Sequence, residues 1–213
     1  MLDLAFDCAA VQPERYAAAP TLLFTLRISE STGEPVHAAA LRCQIRIEPA
    51  RRRYSGAEQT RLYDLFGEPA RWGDTVHPIQ FASVSHVVPG FTGHTDTTVA
   101  VACSYDLEVA AGKYFASLDD GEIPLLLLFS GTVFARGETG FSAHQIPWHH
   151  EARYRLPVTV WREMIDAFFP NQGWIVLRRE TLDTLRRYRG REALATWDDT
   201  MERLLEEAGE AAP

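Results

Sequence analysis

Residues 21–48 read TLLFTLRI-SESTGEPVHAAA-LRCQIRIE, two alternating runs joined by a connector rich in turn-forming residues. In the first run Leu22, Phe24, Leu26 and Ile28 take every second position. In the second, Leu41, Cys43, Ile45 and Ile47 do the same, with Arg42, Gln44 and Arg46 between them. Period-two apolar spacing turns one face of each strand toward a core and leaves the other in water. Two such runs in succession predict a hairpin within one antiparallel sheet.

The pattern continues on both sides. Leu2–Cys8 alternates and reads as an opening strand. After the central runs, Ser55 followed three positions later by Glu58 is a capping-box signature. With Leu62, Leu65 and Phe66 behind it and Gly67 and Pro69 as stops, it predicts a short helix over about 56–66. Strands are expected at Ile79–Val88, ended by a turn at Pro89-Gly90, and at Thr97–Leu107. Ile123–Phe134 is the most apolar stretch and follows the turn Asp119-Asp120-Gly121; it reads as a central or doubly buried strand. Arg153–Val158 reads as a last short strand.

From Thr159 the period changes. Val160, Trp161, Met164, Ile165, Phe168 and Phe169 form one broad helical face, stopped by Pro170. Trp174–Leu177 reads as a short extended piece. Leu182, Leu185 and Tyr188 mark a second helix with Gly190 as its C-cap. Thr196 and Asp199 begin a third, with Trp197, Met201, Leu204 and Leu205 on its buried side and Gly209 at its end. Strands first and helices after predict an α+β fold. It would be an antiparallel β-sandwich or large antiparallel sheet over 1–158, with a C-terminal helical layer over 159–208. We read 1–213 as a single domain with a disordered tail at 209–213; the one candidate boundary is near Pro157.

Composition narrows the function classes. The 213 residues carry 46% hydrophobic and 23% charged residues, the balance of a folded chain. A net charge of −8 argues against nucleic acid or an anionic membrane surface as partner. Nor does any apolar run approach the roughly 20 residues of a membrane span. The N-terminus, MLDLAFDCAA, lacks the basic region of a signal peptide. Cys8, Cys43 and Cys103 are widely spaced among apolar residues. They read as buried, reduced thiols of a cytoplasmic protein.

Phosphate-cradling loops and the nucleophile elbow are absent from the sequence. Ser130-Gly131 reads as an ordinary strand serine, and the pairs Asp119-Asp120 and Asp198-Asp199 as turn and helix-cap residues. No catalytic residue is therefore assigned, and no cofactor is expected. Five of the seven histidines fall in two groups: His86, His94 with Asp96, and His144, His149 and His150. Neither spacing matches a metal signature. Adjacent histidines on an extended chain point to opposite faces, so His149 and His150 converge on one ion only if the chain bends. We expect no metal, these six residues being the candidates for the alternative, a metal- or small-molecule-handling module. Aromatic residues beside Gly and Pro remain: Trp72, Phe91, Tyr114, Phe115 and Trp148. Such residues dominate interface energetics, and they are the candidates for a partner-binding rim. Their plainer reading is as plugs at the sandwich ends.

Six pieces spread over the chain carry a resemblance: LRCQIRIEPARRRYS (41–55), LFGEPARWGDT (65–75), VPGFTGHTDT (88–97), DGEIPLLLLFSGTVF (120–134), QIPWHHEA (145–152) and WIVLRRETLDTLRRYR (174–189). Together they resemble an uncharacterised actinobacterial family, a domain of unknown function encoded near nickel–iron uptake hydrogenase genes. The single lysine, Lys113, against twenty arginines hints at the same GC-rich source. The resemblance implies a non-enzymatic accessory role in hydrogenase assembly, stabilisation or regulation. It implies a hydrogenase subunit or maturation factor as the protein partner, and no family catalytic residues to carry over. In its order of sheet and helices the chain is also similar to SecB-type export chaperones, a further alternative that rests on architecture alone. The sequence leaves the oligomeric state open.

Overall fold

The computed structural model describes residues 2–103, 109–137, 140–170, 172 and 175–210. Eight strands come in the order β1 (Leu4–Pro13), β2 (Thr21–Glu30), β3 (Val36–Ile47), β4 (Ile79–Phe91), β5 (His94–Ala102), β6 (Glu122–Gly137), β7 (Gly140–Ile146) and β8 (Glu151–Pro157). The helices are α1 (Gly56–Arg61), α2 (Tyr63–Phe66), α3 (Trp72–Thr75), α4 (Ala110–Ala116), α5 (Val158–Phe168), α6 (Arg179–Arg191) and α7 (Trp197–Ala208). The chain forms two compact units, 1–174 and 175–213.

All strands belong to the first unit and make two antiparallel sheets. One has the order β1-β2-β5; the other has β3 between β4 and β6. The inward residues of both form one cluster, in which the rings of Phe6 (β1) and Phe129 (β6) stack with centroids 4.4 Å apart. The fold is thus α+β, with a sandwich at its centre.

The hairpin expected at 21–48 does not form. β2 pairs with β1 and β5, whereas β3 pairs with β4 and β6. Residues 31–35 instead arch from one sheet to the other. Leu22, Phe24, Leu26 and Ile28, and Leu41, Cys43, Ile45 and Ile47, are all buried, as the period requires. But the period says only which face points inward; two inward faces are satisfied equally well by packing against each other. The arch is held by the Glu30 carboxylate, whose Oε1 accepts from Asp3 N–H at 3.2 Å, Thr32 N–H at 3.1 Å and Thr32 Oγ1 at 2.7 Å.

β6 is the central strand that its composition predicts. One edge pairs with β3 along Leu125–Ala135; the other is divided between β8, along Glu122–Leu128, and β7, along Gly131–Gly137. Gly131, with φ +139°, sits where the partner changes. The short connection between β7 and β8, residues 147–150, therefore lies beside the middle of β6, and Phe129 N–H donates to His150 O at 3.0 Å.

Other local expectations need adjustment. Pro89 and Gly90 do not make a turn; both lie within β4, and the reversal comes at Thr92-Gly93, where Gly93 has φ +76°. Pro89 is tolerated because β4 is an edge strand, where a missing N–H costs no ladder bond. The predicted helix at 56–66 is α1 and α2, opened by the Ser55–Glu58 capping box. Within Thr97–Leu107, β5 ends at Ala102, and residues 104–108 lie outside the described residues. α5 buries Trp161, Met164 and Ile165 in the first unit, so the division between units falls after it rather than near Pro157.

In the second unit α6 runs through Gly190 to Arg191 rather than stopping at the glycine. α7 has the expected Thr196–Asp199 capping box and a left-handed Gly209. Its apolar side is not buried as expected: Thr200 is buried, while Trp197 and Leu205 are exposed. Of the extended piece Trp174–Leu177, Trp174 lies outside the described residues, as does the tail from residue 211.

Cys8, Cys43 and Cys103 are free and buried. Burial pushes each thiol up to about 12, with Asp7 and Cys43 adding to the effect at Cys8. At pH 8 such a thiol holds roughly a thousandfold less thiolate than an unperturbed one. Titration with a disulfide reagent should find all three silent in the native protein and all three reactive in guanidinium chloride. Stoichiometric labelling without denaturant would contradict this burial.

Candidate functional site

Among the described residues of the first unit, the most buried ion pair joins Arg52 and Glu58. Arg52 Nη2 donates to Glu58 Oε1 at 2.9 Å, with side chains 8% and 4% exposed. The same guanidinium donates to the carbonyls of Asp120 and Glu122. The Glu58 carboxylate also accepts from the N–H groups of Ser55 and Asp119, each at 2.9 Å. Burial alone would raise the Glu58 carboxyl. The Arg52 hydrogen bond and the two backbone donors outweigh it and hold the group at about 2. Next to this pair the Tyr54 and Tyr114 hydroxyls lie 2.8 Å apart, and Tyr54 donates to Pro49 O. Every polar atom in the arrangement is matched internally, so the cluster ties α1 to the Asp119–Glu122 turn.

The histidine groups do not converge. His86 Nε2 lies 2.6 Å from Thr97 Oγ1, bridging β4 and β5. Asp96 is committed to Arg27 through two hydrogen bonds of 2.8 and 2.9 Å, and this bonding holds its carboxyl below the usual range. His94 opens β5, and His144 Nε2 lies 2.9 Å from Ser142 Oγ. His149 and His150 do come together, with ring centroids 4.6 Å apart. The opposite-face expectation fails there because the chain turns after Pro147, with His150 N–H donating back to Pro147 O. Burial, then the neighbouring His149, lowers the His150 imidazole. Among the described residues no group of three or more His, Cys, Asp or Glu is placed to hold a metal ion.

The aromatic candidates separate by burial. Tyr114 and Phe115, carried by α4, are fully buried, packed against Phe66, Phe81 and Trp161. They belong to the core and cannot reach a partner, a correction to the rim reading. Trp72 is partly buried, edge-on to Tyr54 and Phe66, and its indole N–H donates to Gly67 O at 2.9 Å. Phe91 is half-buried against the core at the end of β4. These are the plugs of the plainer reading.

Trp148 behaves differently. It sits on the turn between β7 and β8 and is 88% exposed. Beside it, on the outer face of the five-stranded sheet, a groove of about 340 Å³ is lined by Arg42, Gln44, Ser83, Leu128 and Ser130. Register explains the grouping: Arg42 lies opposite Ser130 and Ser85, and Gln44 opposite Leu128 and Ser83. Gln44 is anchored to Gln80 at 2.5 Å. Arg42 has no ion-pair partner among the described residues. An indole, an unpaired guanidinium, a fixed amide and two hydroxyls make a surface that can take an apolar group flanked by a carboxylate.

Sequence reading assigned no function to Arg42, Gln44, Ser83 or Ser130. Their alternation marked the wet face of each strand, but Trp148 reaches them only because β7 and β8 share one edge of β6.

Among the described residues no helix is long and apolar enough to cross a membrane. No curated protein matches the sequence. Among solved structures, the chain is similar to a late embryogenesis abundant (LEA) protein at 11% identity, covering 73% of this chain and 72% of that one, with a TM-score of 0.34. It is similar also to the ApaA protein from Bordetella pertussis at 13% identity, covering 73% and 93%, with a TM-score of 0.28. A β-glucosidase from Kluyveromyces marxianus matches at 8% identity over 72% of this chain and 15% of that one, with a TM-score of 0.26. Likeness at this level bears on no activity. A family model, described as a family of unknown function, matches residues 1–213.

Proposed function

The chain belongs along its whole length to DUF6084, a family of unknown function, and we propose that it is a non-enzymatic interaction protein engaging a protein partner through the Trp148 groove. The observation that carries this reading is an indole 88% exposed beside an arginine that has no ion-pair partner among the described residues. Trp and Arg are the residues most enriched among interface hot spots, and a large aromatic left in water gains most from being covered. The buried Arg52–Glu58 pair supports the same reading, since its hydrogen bonds are spent on holding α1 in place. In the setting implied by the resemblance, the partner is a subunit or maturation factor of a nickel–iron hydrogenase. The role is then assembly, stabilisation or regulation in the cytoplasm.

The test places a photo-crosslinking amino acid at position 148 in the native host. A dominant adduct with a hydrogenase subunit or maturation factor is expected, and it should be lost on Arg42→Glu. Tyr16, 95% exposed elsewhere on the first unit, is the control position. An adduct pattern at 148 no different from that at 16 would overturn the reading. With the partner in hand, Trp148→Ala is expected to weaken binding by about 2 kcal/mol, roughly thirtyfold, in calorimetry.

A further inference from the structure

The second unit, Ile175–Pro213, is a hairpin of α6 and α7. Its helices touch through Tyr188, which donates to Glu207 at 3.1 Å, and through Arg189, whose guanidinium lies 5.0 Å from the Trp197 ring centroid. Units of this size, below about 40 residues, rarely bury enough apolar surface to hold together without disulfides, a metal or association. Thr200 is the one buried residue among those described in this unit. On α7, Trp197, Met201, Leu204 and Leu205 recur at helical spacing, yet Trp197 is 38% and Leu205 46% exposed. Ile175 and Val176, just before α6, are more than half exposed as well. The hairpin thus has an amphipathic pattern with one side still open.

We propose that this open side is a dimer interface, its occupant being the same hairpin of a second copy of the chain. Charge selects that occupant. α6 carries five arginines against two carboxylates, and α7 carries five carboxylates against one arginine. A two-fold arrangement lays α6 of each copy across α7 of the other, so opposite charges meet twice while the apolar stripes close into a four-helix bundle. A uniformly acidic partner would match α6 and repel α7; a uniformly basic one would do the reverse. Some of the charges are used within the hairpin, as in Arg186–Asp183 and Arg203–Glu207. Arg179, Arg187, Asp198 and Glu202 have no ion-pair partner among the described residues and remain for contacts between copies.

Sedimentation velocity of the full chain tests this. A species of twice the chain mass is expected at micromolar concentration, and Leu205→Asp should convert it to the single chain. Far-UV circular dichroism checks that the helices persist. Two charge variants, R179E/R187E and D198R/E202R, leave the apolar stripe untouched. Each alone should dimerise about tenfold or more weakly, because like charges then face each other across both contacts. Mixed in equal amounts they should form a heterodimer, since the acidic substitutions at 179 and 187 of one copy then meet the basic substitutions at 198 and 202 of the other, while the unaltered positions meet at the second contact. A chain that stays single at high micromolar concentration would overturn the proposal. So would a dimer indifferent to these substitutions, or helical variants that fail to pair when mixed. The Trp148 groove is unchanged throughout, so the outcome is independent of the reading above.

Discussion

A Gly131→Ala protein is expected to lose about 2–6 kcal/mol of stability, the combined cost of a strained backbone and an overpacked contact. Gly131 has φ +139°, a region L side chains rarely adopt, and an added Cβ would lie 2.0 Å from the carbonyl oxygen of Ala40. That oxygen belongs to β3, which is bonded to β4 on one side and β6 on the other. Neither strand can retreat without opening the sandwich. Gly140 is the natural control: its φ is +141°, but an added Cβ there meets nothing within 4 Å. Gly140→Ala should therefore cost only the backbone share, about 1–3 kcal/mol. Denaturant titrations giving the two variants equal midpoints would show that the approach to Ala40 does not matter.

Glu58→Ala is expected to be nearly as damaging, at about 3–5 kcal/mol, the usual result of removing one partner of a buried pair. The loss is large because the Arg52 guanidinium stays buried without its counter-charge and two backbone N–H groups lose their acceptor. A double-mutant cycle with Arg52→Met would separate the pair's coupling from the bonds Arg52 makes to the turn carbonyls. The pair also sets a dependence on pH. Glu58 is depressed from 4.5 to about 2, so the unfolded chain takes up its proton first. The stabilisation is complete above about pH 4.5 and is lost as pH falls through 2. Thermal melts between pH 5 and 2 should fall more steeply for the wild-type chain than for Glu58→Gln. Parallel slopes would mean that the carboxylate is not held as described.

Which face of each strand points inward was legible from single letters, because Leu22, Phe24, Leu26 and Ile28, like Leu41, Cys43, Ile45 and Ile47, recur at a two-residue spacing that Leu23 alone interrupts. What those strands pair with was not. The energy of burying Leu26 is the same whether Ile45 lies beside it or across from it, so alternation carries no register. Capping, by contrast, is local. Ser55 with Glu58 and Thr196 with Asp199 were readable because donor and acceptor lie within one turn of chain.

The candidate site shows the same division. Trp148, Tyr114 and Phe115 look alike in sequence, each an aromatic within a polar or turn-rich stretch. Burial separates them, and it is decided by elements far away in the chain: α4 carries two of them into the core, while the turn after Pro147 holds the third out. The contact between His149 and His150 was hidden for a related reason, since strand geometry was assumed where the chain bends. α7 erred in the other direction. Its stripe is plain, but a stripe says that something should cover it and not that this unit alone does.

The arch at 31–35 has a consequence for biosynthesis. A hairpin could zip up as soon as its second arm left the ribosome. Here the third strand gains β4 on one edge first, Leu41 pairing with His86, and its other edge must wait for a neighbour ninety positions downstream, since Leu41 also pairs with Gly131. At elongation rates of about 5–20 residues per second, ninety residues take roughly 5–20 s. Throughout it, a nascent chain displays an apolar ribbon with one edge unsatisfied. Ribosome-stalled chains ending before residue 120 should accordingly recruit holdases, and release should follow once the LLLLF segment clears the exit tunnel.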